Sequence, residues 1–304
     1  MESAVQHQEA QSELAEEQKD EVSSPDAKRF KVSETEESRV AGAGEQQETE
    51  QKDQQQLYIT KLKLTSFAPL DEMGEGRNTC PQCKQSRKFF CYDCYLPLAD
   101  QSRVPKLELP IQVTVLRHPK EKISKSSIVP AKVICPDHVK IRHDLHIEPL
   151  LKEGETFDEV VLLFPAEDAK DVQSMSHEEL LAIKHLVIID STWHQTKHFL
   201  REPNVVSLKK VKIQTEKTAF WRYQRIAETN LSTIEAMYFF FRDFETNLNC
   251  GGDLSKYSGK WDDLLYYYAY NYWLIQKAYT EGNRRYEDFT RIKGYITGLP
   301  DTMK

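Results

Sequence analysis

No apolar run in this 304-residue chain approaches the roughly 18 residues that a membrane-spanning helix needs. The nearest, Leu264 to Ile275, holds Asn271 and the tyrosines Tyr266, Tyr267, Tyr268, Tyr270 and Tyr272, so a packed helix is expected there and no membrane partner. The amino terminus lacks the basic-then-apolar order of a secretory signal, so the protein is expected to be intracellular, with its thiols reduced. Internal repeats are absent too, and no repeat architecture is expected.

Residues 1–56 lack apolar surface: they hold one aromatic, Phe30, against ten glutamines. Fifteen acidic residues oppose six basic ones there, a net of −9. Such a segment cannot offset the entropy of ordering its chain, so an acidic disordered tail is expected. The whole chain carries −7, which leaves residues 57–304 at +2. The acidity therefore belongs to the tail and does not argue against a nucleic-acid partner. Ala27-Lys28-Arg29-Phe30-Lys31 reads either as a nuclear import signal or as solvated charge; on it rests the expectation of a nuclear location over a cytoplasmic one.

Four of the six cysteines fall in two pairs, Cys80-Pro81-Gln82-Cys83 and Cys91-Tyr92-Asp93-Cys94. Each pair can turn two thiolates toward one point, which suits one tetrahedral Zn²⁺ in a closed, structural site. The alternative is four unligated or redox-active thiols. Cys135 and Cys250 stand apart and read as ordinary core cysteines.

The remainder alternates strands and helices. Ile111–Leu116, Asp158–Phe164 and His185–Ile189 read as strands, Val205–Leu208 as a further short one, and Ser176 opens a helix before the third. Ser232-Thr233-Ile234-Glu235 fits a capping box ahead of a helix apolar on nearly every face, and Gly251-Gly252 ends it. A last helix is expected over Trp261–Tyr279. This pattern predicts an α/β fold with a mainly parallel sheet and helices on both faces. It divides into a zinc knuckle over 57–100, an α/β domain over 101–245, and a helical extension over 246–304.

The strand His185–Ile189 runs into Asp190-Ser191-Thr192-Trp193. A carboxylate at the carboxyl end of a buried strand sits where open α/β sheets place their chemistry. The plainer reading is an N-cap for the next helix. Further words stand in order around it: the cysteine pairs, Arg117-His118-Pro119-Lys120-Glu121, Leu163-Phe164-Pro165-Ala166-Glu167-Asp168-Ala169, and Leu231-Ser232-Thr233-Ile234-Glu235-Ala236. Together they resemble the DTW-domain family of tRNA-uridine aminocarboxypropyltransferases over roughly residues 77–243. The resemblance implies a knotted, SPOUT-like fold that binds S-adenosylmethionine in loops at one edge of the sheet. It implies transfer of the 3-amino-3-carboxypropyl group to N3 of a tRNA uridine, leaving methylthioadenosine. Asp190, Thr192 and Trp193 would then be catalytic, and His118, Pro119, Pro165, Leu231, Ser232 and Thr233 would hold the cofactor. Rival readings are a SPOUT-like RNA methyltransferase and a non-catalytic zinc and RNA-binding module.

An unperturbed Asp has a pKa near ~3.9, far below that of a uridine imide, so Asp190 is either a base raised by burial or an acceptor for the N3 hydrogen. From His194 to Arg225, eight Lys or Arg face only Glu202 and Glu216. Lys209, Lys210, Lys212, Arg222 and Arg225 are the residues expected to meet an RNA backbone, with Phe220, Trp221 and Tyr223 placed to stack a base; a solvated face is the alternative. No obligate protein partner is expected. Removing residues 1–55 should leave the thermal unfolding of the remainder nearly unchanged. Strong protection of the tail's amides in hydrogen exchange would contradict the reading of that segment.

Overall fold

The computed structural model describes residues 57–142, 157–214, 216–221, 230–281 and 295–296. The expected tail lies outside the described residues, as do Arg222, Tyr223 and Arg225. No helix among the described residues is long and apolar enough to cross a membrane.

After a short helix, Ala68–Asp71 (α1), come two small hairpins. Asn78–Thr79 (β1) pairs antiparallel with Ser86–Arg87 (β2), and Phe90–Cys91 (β3) with Leu96–Pro97 (β4). The main sheet follows: Gln112–Arg117 (β5), Val139–Arg142 (β6), Val160–Leu163 (β7), Lys170–Asp171 (β8), His185–Asp190 (β9) and Lys209–Lys212 (β10). Its order is β6-β5-β9-β7-β10-β8, and every pairing is parallel. Helices join the strands: Val129–Ile134 (α2), His177–Ala182 (α3), Trp193–Phe199 (α4) and Pro203–Val206 (α5). Thr233–Cys250 (α6) and Tyr266–Thr280 (α7) close the fold.

Parallel sheets are covered on both faces, so their strands read as continuous apolar runs. Alternate residues of β5, β7 and β9 divide accordingly. Val113, Val115, Val161, Leu186 and Ile188 join a large core with the aromatics of α6 and α7. Leu116, Val160, Leu162 and Val187 join a smaller one with Phe199 of α4, Val205 of α5 and Leu208. The hairpins dock on the large core through Phe89 against Tyr270 (5.0 Å between ring centroids) and Phe90 against Tyr267 (4.9 Å). The knuckle, sheet and carboxyl-terminal helices thus share one core.

The strand expected over Val205–Leu208 is not one. Pro203 opens the short helix α5, and Val205 and Leu208, three residues apart, face the same core. The strand follows at Lys209–Lys212, where a single buried residue, Val211, supplies the only apolar signal. The last helix is also divided: a 3₁₀ turn at Asp262–Leu265 precedes α7. Its Asp262 and Asp263 accept the backbone N–H groups of Lys63 (2.7 Å) and Thr65 (2.8 Å), binding the 57–73 segment to the helix.

Helix α6 carries three buried charged residues, each of which needs partners to be tolerated. Arg242 bonds Asp243 and Glu216, both at 2.9 Å, and lies over the Phe239 ring. Glu235, fully buried, accepts five hydrogen bonds: from Tyr58 Oη (2.8 Å), Ala219 N–H (2.8 Å), Thr218 Oγ1 (2.8 Å), and both the N–H and hydroxyl of Ser232 (2.7 Å each). At the other end Gly251 takes a left-handed φ of 63° and closes the helix. Glu235→Gln swaps a pure acceptor for an amide whose NH₂ faces donors. It should lower unfolding free energy by about 3 kcal/mol or more in urea titration. An unchanged midpoint and slope would show that the carboxylate contributes nothing to the fold.

Candidate active site and metal centre

Two backbone features shape the cysteine hairpins. Lys84 and Tyr95 are the only non-glycine residues with positive φ among those described, at 62° and 55°. Each directly follows the second cysteine of a pair, so the two hairpins share one left-handed turn around their thiols. Such turns cost roughly 1–2 kcal/mol without glycine and persist where the surroundings demand them. The four Sγ atoms lie within 4.8 Å of one another, and those of Cys83 and Cys91 are 3.5 Å apart. With Zn–S at about 2.3 Å, the edges of a tetrahedral site are about 3.8 Å, so the arrangement fits one zinc. Backbone hydrogen bonds from Cys83 pull the Cys80 thiol down to about 7. Burial and the neighbouring thiols push Cys94 up to about 12. As thiolates, the four could share one cation between them. Arg87 braces the second pair, stacking 4.0 Å over Tyr92 and pairing with Asp93.

Asp190 ends β9 near the middle of the sheet, level with Arg117 of β5. It is buried, and it does not cap α4: that cap is Thr192. Asp190 Oδ2 accepts from Ser126 Oγ at 2.7 Å, and Oδ1 accepts from Thr233 Oγ1 at 2.6 Å. A loop residue and the first residue of α6, far apart in sequence, therefore meet on one carboxylate. Its backbone carbonyl takes the His118 N–H at 3.0 Å, which continues the ladder past the strands.

The remaining sequence-predicted residues spread around this point. His118 is buried against His198 and Phe199, and its Nδ1 accepts the Lys120 N–H at 3.2 Å, so the ring's hydrogen sits on Nε2. Burial, with His198 and Lys120 nearby, holds its pKa below the usual histidine range, so the ring is neutral. Pro119 and Pro165 are exposed at the carboxyl edge, Leu231 is half-buried, and Ser232 is buried in the Glu235 network. Thr192 is exposed and donates its N–H to Gln195 Oε1 at 3.2 Å. Trp193 opens α4; its side chain lies outside those described.

Lys209 and Lys210 of β10 lie below the end of the sheet that holds Asp190. Lys209 pairs with Val161 near the amino end of the sheet and forms an ion pair with Asp158 at 2.6 Å. Lys210 pairs with Asp168 at 2.9 Å. Both border a depression shared with Lys170 and Glu179, where cations and carboxylates alternate. Lys212 alone reaches the carboxyl end, beside Asp171. Phe220 and Trp221 pack on each other and on Tyr268 of α7. Sequence reasoning missed Ser126, which no motif marks in the run Lys125-Ser126-Ser127. Glu235 was visible only as a cap.

A family model described as the DTW domain matches residues 88–275. The chain belongs to the DTW-domain family. Relatives named tRNA-uridine aminocarboxypropyltransferase 1 are similar along most of their length. The Mus musculus protein is 32% identical over 69% of this chain and 80% of its own. The Xenopus tropicalis protein is 30% identical over 72% and 87%, and the Homo sapiens protein 29% over 74% and 86%. No solved structure matches. The DTW match takes in the whole sheet, α6 and most of α7, and starts between the two cysteine pairs, so it includes Cys91 and Cys94 only.

Purified DTW protein should carry one zinc per chain by elemental analysis, and Cys83→Ser should release it and lower the melting temperature. A folded, reduced sample free of metal would refute the zinc reading of the cluster.

Proposed function

We propose that this chain transfers the 3-amino-3-carboxypropyl group of S-adenosylmethionine to N3 of a tRNA uridine, releasing methylthioadenosine, and that a structural zinc holds its cysteine hairpins. The observation that carries this reading is the meeting of two family words on one atom group: Thr233, from the word that opens α6, donates to Asp190 at 2.6 Å. The names of the relatives supply the substrate and the transferred group.

Asp190 accepts the N3–H of the uridine. Both its oxygens already take a hydroxyl hydrogen, which fixes their direction and spreads their charge. This supports an acceptor that orients N3 and stabilises charge as the proton leaves. His118 and Pro119 at the end of β5, the loop after β7 and the amino terminus of α6 border the same end of the sheet. They are the elements proposed to hold the cofactor, with the α6 dipole suited to its carboxylate. When bound, S-adenosylmethionine supplies a sulfonium flanked by three electrophilic carbons. The chain's task is alignment of N3 on one of them, which can be worth several powers of ten. The parallel order, and α6 delivered to the end of β9, support a knotted SPOUT-like topology as part of the same proposal.

Asp190→Asn keeps the size, and either hydroxyl partner can rotate to accept from the new amide. Thermal melting and cofactor affinity should stay close to normal, while single-turnover transfer falls about a hundredfold or more. A stable variant with near-normal turnover would remove Asp190 from the chemistry. Cofactor labelled on the aminocarboxypropyl chain should mark the tRNA; transfer of methyl label instead would establish the methyltransferase reading, and no transfer of either the binding module.

A further inference from the structure

We propose that the turn from Lys120 to Ser126, with the exposed face of α4, is the surface that grips the tRNA backbone and sets the uridine against Asp190; this rests on the transfer reaction proposed above. The surface replaces Lys209 and Lys210 in that role.

The charge is in the right place. Lys120, Lys122 and Lys125 are exposed, and Glu121 between them is half-buried. Across the site α4 and the residues after it expose Lys197, His198 and Arg201, with no acidic residue from 193 to 201. The His118 and His198 rings, 5.9 Å apart, join the two parts. Lys209 and Lys210 are matched by Asp158 and Asp168, and Lys209 stands toward the opposite end of the sheet. A phosphate there would have to displace a carboxylate and would leave the uridine far from Asp190.

The turn is also built in advance. Glu121 N–H bonds His118 O at 2.9 Å, Lys125 N–H bonds Lys122 O at 2.8 Å, and Ser126 N–H bonds Ile123 O at 3.2 Å. The Arg117 guanidinium donates to the Glu121 carbonyl from below, and Lys120 N–H donates to His118. Binding therefore orders lysine side chains but little backbone, which lowers its entropic cost. The turn ends on Ser126, whose hydroxyl touches Asp190 at 2.7 Å. Lys125 is thus one residue from a ligand of the reacting carboxylate, so a phosphate held by the turn fixes the nucleotide near N3-reactive geometry.

The test is a pair of charge reversals in the full chain, read by tRNA affinity against salt, by S-adenosylmethionine affinity and by thermal melting. Lys120→Glu with Lys122→Glu should weaken tRNA binding by about tenfold or more and flatten the plot of log K against log salt by about two units. Its melting temperature and cofactor affinity should not move. Lys209→Glu with Lys210→Glu should bind tRNA within about twofold of the unaltered protein. Unchanged affinity and slope in the first variant, a loss of cofactor in place of tRNA, or a large loss in the second would each overturn the surface. So would an unaltered protein that does not bind tRNA. A protein that binds tRNA with this salt dependence and transfers nothing would leave the surface standing and defeat the transfer reading instead.

Discussion

The buried carboxylate of Glu235 is the constraint on which the site depends. A charge with no access to water is tolerable only when hydrogen bonds replace its hydration, and Glu235 gathers five. Its partners come from three places: Tyr58 ahead of the cysteine hairpins, Thr218 and Ala219 after β10, and Ser232 at the start of α6. Satisfying one charge therefore fixes three stretches of chain at once. Thr233, between Ser232 and Glu235, is left aimed at Asp190.

That geometry sets how Asp190 is held at the edge of the sheet. The strand β9 delivers Asp190 to the carboxyl end, and hydroxyls from opposite sides, Ser126 and Thr233, decide where its oxygens point. Both donors are neutral hydroxyls. His118, buried beneath the turn, accepts one hydrogen bond there, from the Lys120 N–H. The cysteine hairpins stand apart from this chemistry. They contribute through Phe89 and Phe90, which extend the core over α7.

The legible parts of the sequence were those set by local rules. The apolar runs of β5, β7 and β9 announced themselves because both faces are buried, and the capping patterns at Ser176 and Ser232 marked true helix starts. The paired cysteines converge as their spacing requires. The failure at Val205–Leu208 has a plain cause: a short apolar cluster after proline fits a helix turn as well as a strand, and β10 is mostly lysine. The basic strip reads differently in the fold for a related reason. Counting cations along the chain takes no account of the carboxylates that folding brings beside Lys209 and Lys210.

By itself the sequence determined the residue types and their order: a parallel α/β chain, a metal-shaped set of thiols, and an aspartate closing a buried strand. These follow from periodicity and spacing, which act over a few residues. Tertiary structure decided which hydroxyls hold Asp190, what surrounds Glu235, and which lysines share an edge with the site. Those contacts join residues such as Tyr58 and Glu235, or Ser126 and Asp190, that are 177 and 64 positions apart. Only the packing of the sheet and its helices brings such residues within hydrogen-bond range, and no local pattern records it.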